Sequence, residues 1–304
     1  MVALSVLLLT RNGSRDLERL LPALYAQESV PAFEVIAVDS GSTDGTLNLL
    51  KTFPLQLERI PSEAFHHACT RNSAATLARG EILVFLSQDA IPTSKDWLRK
   101  LISNFDDPNL GAVYGRQIAK PGSAAERQDT LDTVYGTRRL VKDPAHRNGL
   151  GYRFYHFSDA NSAIRRSVWQ QTRFPENLKV FEDLGIAKRI LDSGWKIVYD
   201  PEASVYHSHN YSSFGLFKRY FDIGYTLKLL KIWEVPGTRK SLCRDAWKLI
   251  SRKVKRARDG NSDQSAWQGI RHDIAKSFGF FLGLNEDRIP ISVKRHLSAF
   301  RVFG

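Results

Sequence analysis

Several carboxylates and imidazoles stand where the sequence turns from apolar to turn-forming. Asp39 closes the run Phe33-Glu-Val-Ile-Ala-Val and is followed by Ser40-Gly-Ser-Thr-Asp-Gly45. A carboxylate there suits either a helix-capping turn or hydrogen bonds to a ribose hydroxyl or a base N–H. Asp89 follows Glu81-Ile-Leu-Val-Phe-Leu86 through Ser87-Gln88. It is a turn former or a ligand for a hard cation that bridges phosphates. Glu182-Asp183 opens a helix, where acidic groups also complement the helix dipole. Neighbours on a helix do not share a face, so at most one of the two is expected to enter a site. That excludes a paired-carboxylate glycosidase built from these two alone. His207-Ser208-His209 would present both rings on one face of a regular strand. The strand is expected to end near His207, leaving His209 in a turn and pointing elsewhere. His66-His67 fits a structural or a ligating role equally.

The elements that must position these groups alternate over the first 120 residues. Apolar runs at Leu4–Thr10, Phe33–Asp39, Leu55–Ile60, Glu81–Leu86 and Gly111–Gln117 predict strands. Helices are predicted at Asp16–Gln27, from about Gly45 through Leu50, and at Thr70–Ala78 and Lys95–Phe105. Such alternation predicts right-handed βαβ units and a mostly parallel sheet, with ligands beyond the carboxyl ends of the strands. Asp39 and Asp89 both fall there. Residues 120–157 are polar and irregular and predict a mobile connection. Phe157–Trp169 leads into a helix, Phe181–Ser193 forms another, and Lys196–Asp200 and Ala203–His207 predict two short strands. Beyond Tyr211 an aromatic amphipathic helix is followed, after Pro236-Gly237, by a strongly basic one.

The 304 residues carry 42% hydrophobic and 25% charged side chains, which is globular composition and excludes a disordered chain. No window approaches the roughly 18 apolar residues of a membrane span. The apolar start lacks a basic flank and a cleavage site and is read as a buried strand. Cys69 and Cys243 stand far apart, outside any CxxC pattern, which excludes a disulfide framework and a zinc cluster and fits a reducing cytoplasmic setting. The net charge of +12 favours anionic partners. Residues 239–259 hold nine Lys/Arg and two Asp. In that helix Lys240, Arg244, Lys248, Arg252 and Arg256 recur every four residues, opposite Cys243, Ala246, Trp247, Ile250 and Val254, as in a helix lying in an anionic membrane interface. A solvated face on a packed helix is the plainer alternative. A non-catalytic membrane- or nucleic-acid-binding protein is the rival reading, disfavoured because Asp89 and Asp183 sit where a phosphate groove would want cations, and no RNP, KH or zinc-finger signature appears.

In order, Thr10-Arg11-Asn12, Val38-Asp39-Ser40-Gly41-Ser42-Thr43-Asp44-Gly45, Thr70-Arg71-Asn72, Gln88-Asp89-Ala90, Glu182-Asp183 and His207 resemble the inverting family 2 glycosyltransferases of the GT-A fold. Phe65–Asn72, Phe157–Ala163, Val205–His209 and the tail Phe278–Leu284 resemble bacterial rhamnosyltransferases of that family. The resemblance implies an α/β, Rossmann-like GT-A catalytic domain over residues 1–210, with a nucleotide-binding half 1–117 and an acceptor half 118–210. A helical basic region, 211–304, would serve membrane association or oligomerisation.

By the same resemblance Thr10, Arg11, Asp39, Arg71 and Gln88 contact the donor nucleotide. Asp89 stands at the last position of the DxD metal motif, here degenerate as Ser87-Gln88-Asp89, and His207 completes a Mg²⁺ or Mn²⁺ shell. Asp183 is the general base, and Asp159, Asn161 and Glu182 lie near donor sugar or acceptor. A Q-x-x-R-W motif is absent after Glu182-Asp183, so transfer of one sugar or a few is expected rather than polymerisation. The implied donor is dTDP-L-rhamnose, with a UDP-hexose as the alternative. The acceptor is a glycan or lipid-linked saccharide of a surface polysaccharide. The enzyme is expected in the cytoplasm, peripheral on the inner face of the cell membrane, and the aromatic helix could dock there or form a homodimer.

Overall fold

The computed structural model describes residues 3–123, 125–147, 150–258 and 264–303. Among them nine strands form a single mixed sheet: β1 (Leu4–Thr10), β2 (Phe33–Asp39), β3 (Gln56–Arg59), β4 (Ile82–Ser87), β5 (Ile91–Pro92), β6 (Leu110–Ile118), β7 (Leu140–Lys142), β8 (Asn161–Arg165) and β9 (Lys196–Tyr206). Their order is β3-β2-β1-β4-β8-β6-β9-β5, with β7 on β9. The first four are parallel, as predicted, and the register sets Thr10 beside Asp39 and Leu9 beside Ser87. Their carboxyl ends therefore share one edge. Continuous apolar runs follow from burial on both faces. Leu4, Val6 and Leu8 of β1 pack in one core with Leu17, Leu20, Leu21 and Leu24 of the helix Ser14–Tyr25. Leu7 points to the other core, with Ile36, Val38 and Phe85.

The second half departs from the parallel expectation. Strand β8 runs antiparallel to both β4 and β6 and so joins the parallel half to β9. Strand β9 is one strand rather than two, because its pairing with β6 continues across a register shift between Gly115 and Gln117. The shift requires glycine: a Cβ on Gly115 would sit 1.9 Å from the Ala203 carbonyl oxygen. The connection after β6 is ordered where it is described, with a helix at Ala125–Val134, strand β7 and a short helix at Tyr152–Tyr155. Leu131, Tyr135, Leu140, Phe154 and Tyr155 anchor it to the core.

After β9 come helices Ser213–Leu229, Thr238–Arg258, Gln264–Leu284 and Ile291–Leu297. The predicted aromatic and basic helices are the first two; the third was not expected. It lies against Ser213–Leu229 at backbone contact, since a Cβ on Gly279 or Gly283 would strike the carbonyl oxygen of Phe217 or Phe221. The chain then returns to the same helix, where the Asp222 carboxylate accepts hydrogen bonds from the N–H groups of Ala299 and Phe300.

Candidate active site

Past the carboxyl edge of β4 and β6 lies a cavity of about 800 Å³. One wall holds Asp89, His207 and His209, whose ligand atoms all lie within 4.8 Å of one another. Asp89 Oδ1 is 3.3 Å from His207 Nε2, and Oδ2 is 3.7 Å from His209 Nδ1 and 3.5 Å from Lys120 Nζ. His207 Nδ1 donates to Gln117 Oε1 at 2.8 Å, and the Gln117 amide donates onward to Tyr135 and Ser158. That bond fixes the tautomer, so a neutral His207 turns its Nε2 lone pair toward Asp89. Burial, then the neighbouring His207, brings His209 down to about 4, which keeps it neutral. Burial opposes ionisation of Asp89, but a protonated His207, through its hydrogen bond and its charge, and then Lys120 hold the carboxyl well below the usual range. Two lone pairs and a carboxylate facing one another suit a divalent cation. His209 corrects the expectation that it points away: the chain curls after Tyr206, and the His207 and His209 rings pack edge to face with centroids 4.6 Å apart.

The lining also holds Asp159, Glu182 and Asp183 around Arg71. Arg71 Nε lies 2.7 Å from Asp159 Oδ2, and Nη1 donates to Glu182 Oε1 at 2.6 Å. His67 is held down to about 4, first by burial and then by Arg71, so it is neutral and its Nδ1 accepts from Arg71. One guanidinium thus faces three carboxylates. Burial, only partly offset by Arg71 and reinforced by Glu182, lifts Asp159 to about 6. Burial and the charges of Asp159 and Glu182 raise Asp183 well above its ordinary value. Both Glu182 and Asp183 line the cavity, against the expectation of at most one. The cavity caps the first turn of Glu182–Asp192, where Phe181 takes a left-handed conformation and two successive side chains splay toward one opening.

The remaining sequence candidates fall outside the cavity wall. Asp39 is fully buried and accepts from Thr10 Oγ1, the Gly41 and Ser42 N–H groups and Ser42 Oγ, so all four of its lone-pair positions are engaged by its own loop and the end of β1. Gln88 clasps the backbone of Arg11, accepting from its N–H and donating to its carbonyl. Asn161 is fully buried, takes a hydrogen bond from Trp97 Nε1 and donates to the carbonyls of Ala203 and Arg116. It ties strands together and does not reach the cavity. Arg71 stands among the carboxylates rather than at the loops that hold Asp39. The sequence reading missed Gln117 and also the C-terminal contribution, in which Arg219, Gln268, His272 and Lys276 complete the cavity.

The sequence profile described as "Glycosyl transferase family 2" matches residues 5–172. The chain belongs to that family. It is 32% identical over 288 residues to the O-antigen chain rhamnosyltransferase WbaN of Salmonella anatum, covering 92% of this chain and 89% of the relative. It is 29% identical over 308 residues to the O-antigen chain rhamnosyltransferase RfbN of Salmonella typhimurium, covering 99% and 95%. Among solved structures, the mannosyltransferase PcManGT of Pyrobaculum calidifontis, in complex with GDP-Man and Mn²⁺, superposes with a TM-score of 0.58 at 20% identity over 91% of this chain and 86% of that one. Residues 1–349 of TarS from S. aureus give 0.57 at 17% identity over 99% and 88%. The mixed sheet with its helical C-terminal region is therefore the GT-A arrangement of a family 2 glycosyltransferase resembling bacterial rhamnosyltransferases.

Proposed function

We propose that this glycosyltransferase moves one sugar, L-rhamnose from dTDP-L-rhamnose, onto a hydroxyl of a glycan or lipid-linked saccharide of a surface polysaccharide, with inversion. The observation that carries the reading is one cavity whose lining holds both a cation-seeking cluster and a proton-accepting one. The names of the two O-antigen relatives support the sugar and the pathway.

In this reading Asp183 takes the proton of the acceptor hydroxyl as its oxygen bonds to the anomeric carbon and the bond to the nucleoside diphosphate breaks. Its raised pKa makes it a stronger base than a surface Asp. Arg71 holds Glu182 and Asp159 beside it and limits the charge the cluster carries. Asp89, His207 and His209 would hold the cation, which when bound offsets the charge developing on the leaving diphosphate. Two imidazoles and one carboxylate favour Mn²⁺ over Mg²⁺, whose preferred ligands are oxygens. The enzyme works in the cytoplasm at an anionic membrane surface.

Nucleotide release over a panel of dTDP-, UDP- and GDP-sugars, with and without EDTA, tests the reading. Release is expected from dTDP-L-rhamnose, restored best by Mn²⁺. Asp183→Asn should lower transfer by roughly 10²-fold or more while donor binding persists. Full activity in EDTA, or in Asp183→Asn, would remove the corresponding role.

A further inference from the structure

The helix Gln264–Leu284 has two unlike sides. Gln268, His272 and Lys276, four residues apart, line the cavity, and Gly279 and Gly283 seat that side on Ser213–Leu229. Trp267, Ile274, Phe278 and Phe281 form a stripe on the other side, each between 57% and 61% exposed. Phe214, 62% exposed, extends it: Phe214 stacks on Phe217, whose ring centroid is 5.8 Å from that of Phe278. Isolated exposed apolar residues are ordinary, but a continuous aromatic stripe on a solvent-facing helix marks a contact surface. No helix among the described residues is long and apolar enough to cross a membrane.

Charge identifies the occupant. Residues 211–304 contain 19 Lys/Arg and eight Asp/Glu, so +11 of the chain's +12 lies in this region. Arg271 is exposed within the stripe, Lys218 lies over the Phe214 ring at 5.0 Å, and the helix's one acidic residue, Asp273, is buried. A second copy would bring Arg271 and Lys218 against themselves, because a two-fold interface meets its own patch. An anionic lipid surface satisfies both the rings and the cations.

We infer that the stripe Trp267-Ile274-Phe278-Phe281, with Phe214, Lys218 and Arg271, is the face that enters the anionic leaflet. It supplies a specific surface for the membrane partner of the proposed function and rests on that part of the reading. The basic helix Thr238–Arg258, expected from sequence to lie in the interface, then flanks this face. Its Lys240, Arg244 and Lys248 are exposed, and the side chains of Arg252 and Arg256 lie outside those described. Because the same helix lines the cavity, the leaflet lies about 10 Å, one helix diameter, from the acceptor site. A saccharide on a lipid anchor thus reaches the cavity over its rim.

Co-sedimentation of the full chain with phosphatidylcholine vesicles, with and without about 30 mol% phosphatidylglycerol, tests the inference. Wild type is expected to bind the anionic vesicles in a salt-dependent way. Ile274→Ser/Phe278→Ser/Phe281→Ser and, separately, Arg271→Glu should each weaken binding about tenfold or more. Brominated acyl chains should quench a fluorescence component that Trp267→Phe removes. Nucleotide-sugar binding and melting temperature should be unchanged in all three variants, so failure here is separable from failure of the catalytic reading. Wild-type indifference to vesicles, equal binding by the triple variant, or a wild-type dimer that the triple variant splits would each overturn the assignment.

Discussion

Replacing Asp159 by Asn removes a charge that the fold holds at a cost. Asp159 is 8% exposed, and the single guanidinium beside it also serves Glu182 and faces Asp183. Its carboxyl titrates at about 6 in the native state against 3.8 for an ordinary Asp. Below pH 3.8 both native and unfolded chains are protonated at this site, so wild type and Asp159→Asn should be equally stable there. Between 3.8 and about 6 the native state keeps a proton that the unfolded chain has released, so wild-type stability falls as pH rises. Above that window the deficit is complete and amounts to about 3 kcal/mol at 1.36 kcal/mol per pH unit. Asp159→Asn keeps the shape and carries no such deficit. Thermal unfolding of both proteins from pH 4 to pH 8 should show melting temperatures that coincide at the acid end. They should diverge by about 5 °C in favour of the variant at the alkaline end. A variant less stable than wild type at pH 8, or a difference independent of pH, would refute the account of the cluster. Because the Asp159 charge helps to raise Asp183, the acid limb of kcat/KM should move to lower pH in the same variant.

Gln117→Ala frees the His207 ring and should weaken Mn²⁺ activation about 10- to 100-fold without unfolding the protein, read from metal titration of activity. Asp39→Ala removes three hydrogen bonds from the loop after β2 and one from Thr10 of β1, and should lower stability by about 1–3 kcal/mol. Denaturant unfolding of the free protein reads that loss, which a residue serving only the nucleotide would not produce. Gly283→Val drives a side chain into the Phe221 carbonyl and should release the two packed C-terminal helices, seen as faster proteolysis between residues 230 and 264 with little change in the sheet.

The parallel half of the sheet was legible because each strand and helix there is a local pattern. Leu17, Leu20, Leu21 and Leu24 declare their helix, and Asp39 and Asp89 their strand ends. What escaped depends on distant partners. Asn161–Ala163 looks like a polar approach to a helix, and only pairing with β4 and β6 makes it a strand. Arg71 is separated from Glu182 by 111 residues, so nothing nearby shows that its guanidinium belongs with the carboxylates. His209 was expected to leave the site once its strand ended, and only the curl of the chain after Tyr206 turns its ring back onto His207. The helix Ala125–Val134 lacks an apolar period because a few anchoring side chains, Leu131 and the nearby Tyr135 among them, hold it to the core.

Strand β6 ends the first 118 residues, yet every strand it pairs with comes later in the chain, from Asn161 onward. A polypeptide truncated after Ile118 would expose both edges of β6 and one edge of β4, and Trp97 would lose its acceptor on Asn161. The N-terminal half of the sheet is therefore interlocked with the rest rather than a separable module. It has to await the synthesis of β8 and β9 before its own last strand can settle. Cotranslational folding should stall with β6 exposed, and chemical unfolding should report the sheet as one cooperative transition.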